Sequence, residues 1–209
     1  MAEPIVALLL FEAYPSDSPR VQAQRREFQE KLADVDVNQV VFVDETGANT
    51  AMTRTHGRAP RGQRVAATAP GAWQNVTLIA GLRLSGVVAP LALEGAVDLP
   101  AFQAYVEQAL VPQLHKGDVV VWDNLQAHKS AAVVAAVQAA GAEVVRLPVY
   151  SPDLSPIEEM YSKLKGHLRS AAARTTATVI SAMGKALDLV TPANILGWFH
   201  DRCPYALRK

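Results

Sequence analysis

Cysteine is nearly absent from this chain of 209 residues. Its one cysteine, Cys203, rules out an internal disulfide and fits a reducing compartment. It also argues against a structural zinc site, which usually needs several thiolates or histidine pairs. The apolar residues 5–11 are too short to cross a bilayer, and no basic flank or cleavage site marks them as a signal peptide. We therefore expect a cytoplasmic protein with no membrane partner.

An excess of either charge is also missing. Lysine and arginine together number 20, as do aspartate and glutamate, so the net charge gives no indication of a nucleic-acid partner. The basic residues are nevertheless concentrated in two short stretches. These are Arg54, His56, Arg58, Arg61 and Arg64 in the first, and Lys163, Lys165, His167 and Arg169 in the second. Each stretch could also be an ordinary solvated surface.

Hydrophobic periodicity predicts strands interleaved with helices. The predicted strands are residues 40–43, 76–82, 87–93, 119–122 and 144–147, with a hairpin turn around Ser85 and Gly86. The predicted helices are residues 21–32, 99–114 after a cap at Asp98, 129–140, 156–172 and 176–190. This order favours an α/β domain with a mixed central sheet flanked by helices. We assign residues 36–209 to it and residues 1–35 to an N-terminal extension and helical lead-in.

Three acidic residues from distant segments suggest a carboxylate metal site. Asp44 and Asp123 each follow a predicted buried strand, and Glu158 opens a predicted amphipathic helix. Sites in α/β sheets form outside the strand ends, where these two aspartates would meet. Carboxylates suit Mg²⁺ or Mn²⁺, and two such ions can activate water or a 3′-hydroxyl for attack at phosphorus. No nucleophile motif, GxGxxG loop or Walker loop competes with this hypothesis.

Each acid also has a purely structural explanation. An aspartate after a strand can cap a turn or helix, and Ser155 with Glu158 fits a capping box. Helical geometry separates the two adjacent glutamates: Glu158 falls on the edge of the predicted inward stripe, and Glu159 points towards solvent. The inward stripe comprises Ile157, Tyr161, Leu164 and Leu168. Lys165 and Arg169 share the edge with Glu158, where they could meet phosphates or remain solvated.

Three motifs together resemble the catalytic domain of DDE transposases. They are VFVDETGANT, VVWDNLQAHK and LPVYSPDLSPIEEMYSKLK. The chain is most similar to the mariner-like group and its bacterial insertion-sequence relatives over residues 26–205, and the 34 residues between Asp123 and Glu158 match that group. The resemblance implies an RNase H-like fold, two divalent cations (Mg²⁺ or Mn²⁺), and DNA cleavage and strand transfer at transposon ends. Asp44, Asp123 and Glu158 match the three catalytic, metal-binding acids.

Further residues match positions around that site. Asn124 and His128 match polar positions after the second acid, where hydrogen bonding near the site is possible, although Asn124 could simply cap the next helix. The resemblance also implies that the stretch after Asp44 is a hairpin that approaches DNA. The basic residues of that hairpin are Arg54, Arg58 and Arg61. We expect Trp73 and Trp122 to lie in the core rather than stack on bases.

The sequence departs from the family pattern in two places, and the second departure affects the predicted partners. Ser155 stands where asparagine is more common, and only 43 residues precede Asp44, where a helix-turn-helix region is normal. We therefore expect either a separately encoded helix-turn-helix polypeptide or a truncated remnant. The resemblance further implies a homodimer that associates with the nucleoid when acting on transposon ends and target DNA. The alternatives are another RNase H-like nuclease, such as a resolvase or ribonuclease, and an inactive DNA-binding remnant.

Overall fold

The computed structural model describes residues 18–66 and 68–207, and it is built on a five-stranded mixed sheet of order β3-β2-β1-β4-β5. The strands are β1 (Val40–Asn49), β2 (Asn75–Arg83), β3 (Gly86–Glu94), β4 (Val119–Trp122) and β5 (Glu143–Arg146). Strands β1 to β3 are antiparallel, whereas β4 runs parallel to β1 and to β5. The predicted mixed sheet is confirmed. The predicted apolar run at residues 5–11 and the first part of the extension, up to residue 17, lie outside the described residues.

Helices cover both faces of the sheet. They are α1 (Pro19–Ala33), α2 (Leu99–Tyr105), α3 (Ala131–Ala139), α4 (Ile157–Ala171), α5 (Thr176–Asp188) and α6 (Pro192–Arg202). Asp98 caps α2 as predicted, since its side chain accepts a hydrogen bond from the Ala101 N–H. The predicted single helix over residues 99–114 is instead divided into α2, a π-helical turn and a 3₁₀ turn. Pro112 contributes to this division because it has no N–H to continue α-helical bonding.

The alternation of side chains along β1 determines which acid faces which layer. Val40 and Phe42 belong to the core shared with α1, α4, α5 and α6, whereas Val41 and Val43 belong to the core shared with α2 and α3. Continuing this period of two places Asp44 on the α4 side and the next residue on the opposite side.

The parallel register between β1 and β4 brings the two aspartates together. Phe42 lies opposite Val121, so the same alignment two residues further brings Asp44 next to Asp123, just beyond the end of β4. The prediction that Asp44 follows the end of its strand is wrong. Strand β1 continues to Asn49, because its pairing with β2 extends further than its pairing with β4. Asp44 nevertheless lies where the parallel part of the ladder ends.

The connection between β1 and β2 is irregular and exposed. In its described part, residues 50–66 and 68–74 contain no strand, so this stretch is an extended excursion rather than the hairpin that the resemblance implied. Prolines such as Pro60 cannot donate to a strand ladder, and glycines weaken strands, which disfavours pairing here. The start of the connection is held by Arg174, whose guanidinium donates to the carbonyls of Thr50 and Met52.

The two tryptophans differ in burial. Trp122 is buried in the core as predicted, with 1% of its surface exposed. Trp73 is 59% exposed, so its prediction as a core residue is wrong. It lies in the irregular connection just before β2, where it does not reach either helical layer.

Helix α1 is part of the main core. This helix, predicted over residues 21–32, buries Val21, Phe28 and Leu32, and the Phe28 ring makes an edge contact with Tyr205 near the C-terminus. The boundary between residues 1–35 and 36–209 stays a prediction. Within the described ranges, no single helix is long and apolar enough to cross a membrane, although α5 and α6 together reach the length and composition as a pair bent by 83°.

Candidate active site

Three acids from three elements line one cleft at the end of the sheet. Asp44 and Asp123 extend from neighbouring parallel strands, and Glu158 comes from the first turn of α4. The cleft has a volume of about 380 Å³, and its wall includes Tyr150 and Ser155 from the loop before α4. The structure thus places the three acids predicted from the sequence along the same cleft.

The electrostatics of Asp44 show that this cleft favours a cation. Burial, helped by the nearby charges of Glu158, Glu45 and Asp123, raises the pKa of Asp44 to about 7 against the opposing effect of a backbone hydrogen bond. That bond runs from the Glu45 N–H to Asp44 Oδ1 over 2.8 Å. Because burial and the repulsion by neighbouring carboxylates make ionisation of Asp44 costly, a bound positive charge would stabilise the site.

Glu158 is free of the capping role that competed with a catalytic one. Helix α4 has Pro156 as its N-cap and no side-chain capping bond, so the capping box that was the structural alternative is not formed. Ser155 instead ends a 3₁₀ turn, where its N–H donates to the Pro152 carbonyl. Glu159 is partly buried beside Arg202 of α6, with which it forms an ion pair, rather than pointing into open solvent.

Tyr161 joins the helix of the third acid to the strand of the first. Its hydroxyl donates to the backbone carbonyl of Asp44 over 2.5 Å, and its ring is buried among the inward residues of α4. The sequence signal for this hydrogen bond was a tyrosine in an otherwise aliphatic buried stripe, because a buried hydroxyl needs an acceptor. The sequence could not show which carbonyl it meets.

His128 contacts the Asp123 carboxylate from the protein interior. It is fully buried, with Nδ1 lying 2.6 Å from Asp123 Oδ1 and Nε2 lying 3.1 Å from Glu45 Oε1. Burial would lower the pKa of His128, but hydrogen bonds to both carboxylates outweigh it and raise that pKa to about 9. The imidazole is therefore protonated at neutral pH and donates both N–H groups.

Glu45 is the site residue that the sequence analysis missed. It follows Asp44 in β1 and points to the opposite face, towards His128. The period of two in VFVDET was a signal that adjacent acids would lie on opposite sides of the sheet. Its second oxygen, Oε2, is buried and has no hydrogen-bond partner among the described residues.

Asp123 stays ionised because of these contacts. Burial would raise the pKa of Asp123, but the His128 hydrogen bond and the Leu125 N–H, 2.9 Å from Oδ1, lower it overall. The neighbouring Asn124 does not cap a helix. Its amide donates to the Leu147 carbonyl over 2.6 Å and so ties the end of β4 to the end of β5.

The predicted DNA-binding cations lie at different distances from the acids. Lys165 lines a second cleft, of about 440 Å³, together with the three acids. Arg169 is partly exposed one turn further along α4 and lines neither cleft. Arg54, Arg58 and Arg61 are exposed on the irregular connection after β1.

The donor set fits a hard divalent cation, although the ligands are not yet gathered around one point. Within the described residues, no three His, Cys, Asp or Glu side chains are grouped closely enough to hold an ion as they stand. One oxygen each of Asp44 and Asp123 accepts protein hydrogen bonds, and no such bond to the other oxygens is seen in the described part. Oxygen donors with unbalanced negative charge are what Mg²⁺ and Mn²⁺ bind.

Comparison with known families agrees with this site. Residues 39–180 match the DDE superfamily endonuclease family, and the matched range contains all three acids. The match spans more than half of the chain, so the chain belongs to this family. No curated protein is significantly similar to the chain.

Solved structures of the Mos1 mariner transposase share the fold. The Mos1 strand transfer complex is 19% identical, with a TM-score of 0.70, and the alignment covers 90% of this chain but only 60% of the Mos1 chain. A Mos1 paired-end complex with Mg is 18% identical, with a TM-score of 0.73 and coverage of 100% and 65%. The Mos1 catalytic domain with raltegravir and Mg is 17% identical, with a TM-score of 0.67 and coverage of 91% and 94%. This likeness confirms the RNase H-like fold.

Proposed function

We propose that this member of the DDE superfamily endonuclease family is the catalytic domain of a transposase, which cuts DNA at transposon ends and transfers the strand to a target. The observation that carries the proposal is the convergence of Asp44, Asp123 and Glu158 on one cleft at the end of the parallel strands. The shared fold with Mos1 in its strand transfer complex supports it.

Asp44, Asp123 and Glu158 would hold two divalent cations, Mg²⁺ or Mn²⁺, as Mos1 structures containing these metals suggest. When bound, such ions activate a water or 3′-hydroxyl and stabilise the leaving oxygen at phosphorus. The protein prepares each ligand differently. The pKa of Asp44 is raised to about 7, so a bound cation would favour its ionised form; His128 fixes Asp123, and the exposed Glu158 side chain would be able to adjust.

Cationic side chains would position the DNA backbone over this cleft. Lys165 is placed beside the acids, where it can bind a phosphate adjacent to the one that is cut. Arg169 continues the same edge of α4. The exposed Arg54, Arg58 and Arg61 would contact phosphates further away. These contacts steer and orient DNA without reading its bases.

Sequence recognition would then come from a partner. We assign it to a separately encoded helix-turn-helix polypeptide, since phosphate contacts carry no sequence information directly. We further propose residues 36–209 as the catalytic domain, residues 1–35 as its lead-in, a homodimer as the active form, and action in the cytoplasm at the nucleoid.

A strand-transfer assay tests the proposed function. Purified protein would be given Mn²⁺, labelled DNA carrying the ends of its own element and a target plasmid, with and without the helix-turn-helix polypeptide. We expect cleavage and joined products from the parent and neither from Asp123→Asn. Cleavage without joining would instead identify a hydrolytic nuclease. An absence of metal-dependent cleavage by the parent, and hence no difference from the variant, would identify an inactive remnant and overturn the proposal.

A further inference from the structure

A groove distinct from the two clefts described above adjoins the cleft that contains Tyr150 and the three acids. It has a volume of about 450 Å³ and lies between α1 and the end of β5. Its wall and that of the cleft share Asn124 and the loop residues Leu147, Pro148 and Val149. The groove is therefore a continuation of the cleft, on the side away from Lys165.

The groove carries an excess of positive charge. Arg20 from α1, Lys129 and Arg146 are exposed in it and form no ion pair with any described residue. Lys31, at the same wall, is neutralised by Glu143 at 2.5 Å. Glu27 is the acidic residue in the lining, so cations prevail. Unpaired cations along a groove suit a chain of phosphates.

Two further observations indicate what the groove accepts. Lys129 lies close enough to Asp123 to stabilise its negative charge, which connects the cationic track to the catalytic acid. Gln24 lines the groove, and its Oε1 is a buried acceptor without a partner among the described residues. A rotation of this side chain would present the oxygen to the Watson–Crick edge of an unpaired base, which in a duplex is occupied by the partner base.

We propose that this groove binds a single strand of DNA that continues past the phosphate held in the catalytic cleft. Arg20, Lys129 and Arg146 bind its phosphates, and Gln24 accepts a hydrogen bond from a base. The inference rests on the proposed function for its choice of DNA, but strand binding can be measured without cleavage.

Neutralising the groove tests this directly. The variant Arg20→Gln/Lys129→Gln/Arg146→Gln would be compared with a control that also loses three exposed cations, Arg26→Gln/Lys116→Gln/Lys185→Gln. Arg26 lies on another face of α1, and Lys116 and Lys185 lie outside both the groove and the cleft. Binding of a labelled, mixed-sequence single strand would be followed by fluorescence anisotropy over a range of salt concentrations, and thermal melting would show that both variants fold.

We expect the slope of log K against log salt concentration to become shallower by about 2 in the groove variant, because each of the three lost phosphate contacts contributes about 0.7. In the control variant the slope should remain near the parental value. Equal slopes for the two variants would overturn the proposal. Manganese-dependent cleavage by the parent separates this result from the function. If the parent does not cleave DNA but the groove variant shows the shallower salt dependence, the groove proposal is supported and the proposed transposase function is not. If the parent cuts and the two variants bind alike, only the groove proposal fails.

Discussion

His128 links Asp123 to Glu45 through its two ring nitrogens, at 2.6 Å and 3.1 Å. The linked carboxylates extend from neighbouring parallel strands, and Asp123 lines the cleft that contains the three acids. The imidazole is packed against Phe102, with ring centroids 4.2 Å apart. It therefore cannot turn away, and the orientation of the Asp123 carboxylate is set before any ion binds.

Removing this link should weaken metal binding. In His128→Ala, Asp123 loses its side-chain donor and Glu45 becomes a buried, unpaired carboxylate. We expect a loss of roughly 2–4 kcal/mol in the free energy of unfolding. We also expect a roughly 10–100-fold weaker affinity for Mn²⁺, as for other residues that orient a ligand. Calorimetric titration with Mn²⁺ and urea unfolding measure the two effects.

Tyr105→Phe provides a control in the same layer. The Tyr105 hydroxyl is buried and has no partner in the described structure, so its removal should leave Mn²⁺ affinity unchanged and stability equal or higher. If His128→Ala binds Mn²⁺ as tightly as Tyr105→Phe does, the imidazole does not position Asp123.

Glu45→Gln should change how stability depends on pH. The pKa of His128 is raised in the folded protein to about 9, so its contribution to stability is full below the unfolded value of 6.5 and is lost as pH rises through 9. Glutamine keeps the shape of Glu45 but removes its charge. We expect a smaller loss of stability between about pH 6 and about pH 9 than in the parent, measured by urea unfolding. An unchanged loss would mean that Glu45 does not stabilise the imidazolium.

Asp44 should destabilise the metal-free protein above neutral pH, and a bound cation should relieve this effect. Its pKa is raised from 3.8 to about 7 in the folded protein, so its contribution to stability is present at low pH and is lost as pH rises through 7. At about pH 8 without metal, Asp44→Asn should therefore be more stable than the parent, by on the order of 2–4 kcal/mol. Added Mn²⁺ should raise the melting temperature of the parent much more than that of the variant. A less stable metal-free variant at this pH would contradict the repulsion seen in the cleft.

Tyr161→Phe should loosen α4 from β1. It removes the hydroxyl that donates to the Asp44 carbonyl, at a cost of about 1 kcal/mol in the free energy of unfolding. Because that bond holds the helix of Glu158 against the strand of Asp44, the cleavage rate should fall while DNA affinity is retained. Single-turnover cleavage and anisotropy measure the two quantities, and a loss of stability with a parental rate would show that the bond is only structural.

Local patterns predicted the parts of the molecule that depend on local sequence. The stripe of Ile157, Tyr161, Leu164 and Leu168 gave the buried face of α4, and the apolar runs before Asp44 and Asp123 gave neighbouring strands. The register could not be predicted, because it depends on how β1 and β4 pair over a long separation.

The errors arose where tertiary contacts override a local motif. Ser155 and Glu158 have the spacing of a capping box, yet Pro156 occupies the N-cap and leaves Glu158 to the cleft. Glu45 and His128 are 83 positions apart, so no local pattern could join them.

The most direct test compares the two adjacent glutamates of α4 in Mn²⁺-dependent cleavage of DNA carrying the element's ends. Glu158 faces the cleft, whereas Glu159 pairs with Arg202 outside it. We expect Glu158→Gln to abolish cleavage and Glu159→Gln, which makes the same chemical change one residue away, to retain most of it. Cleavage by Glu158→Gln at the rate of Glu159→Gln would contradict a three-carboxylate active site.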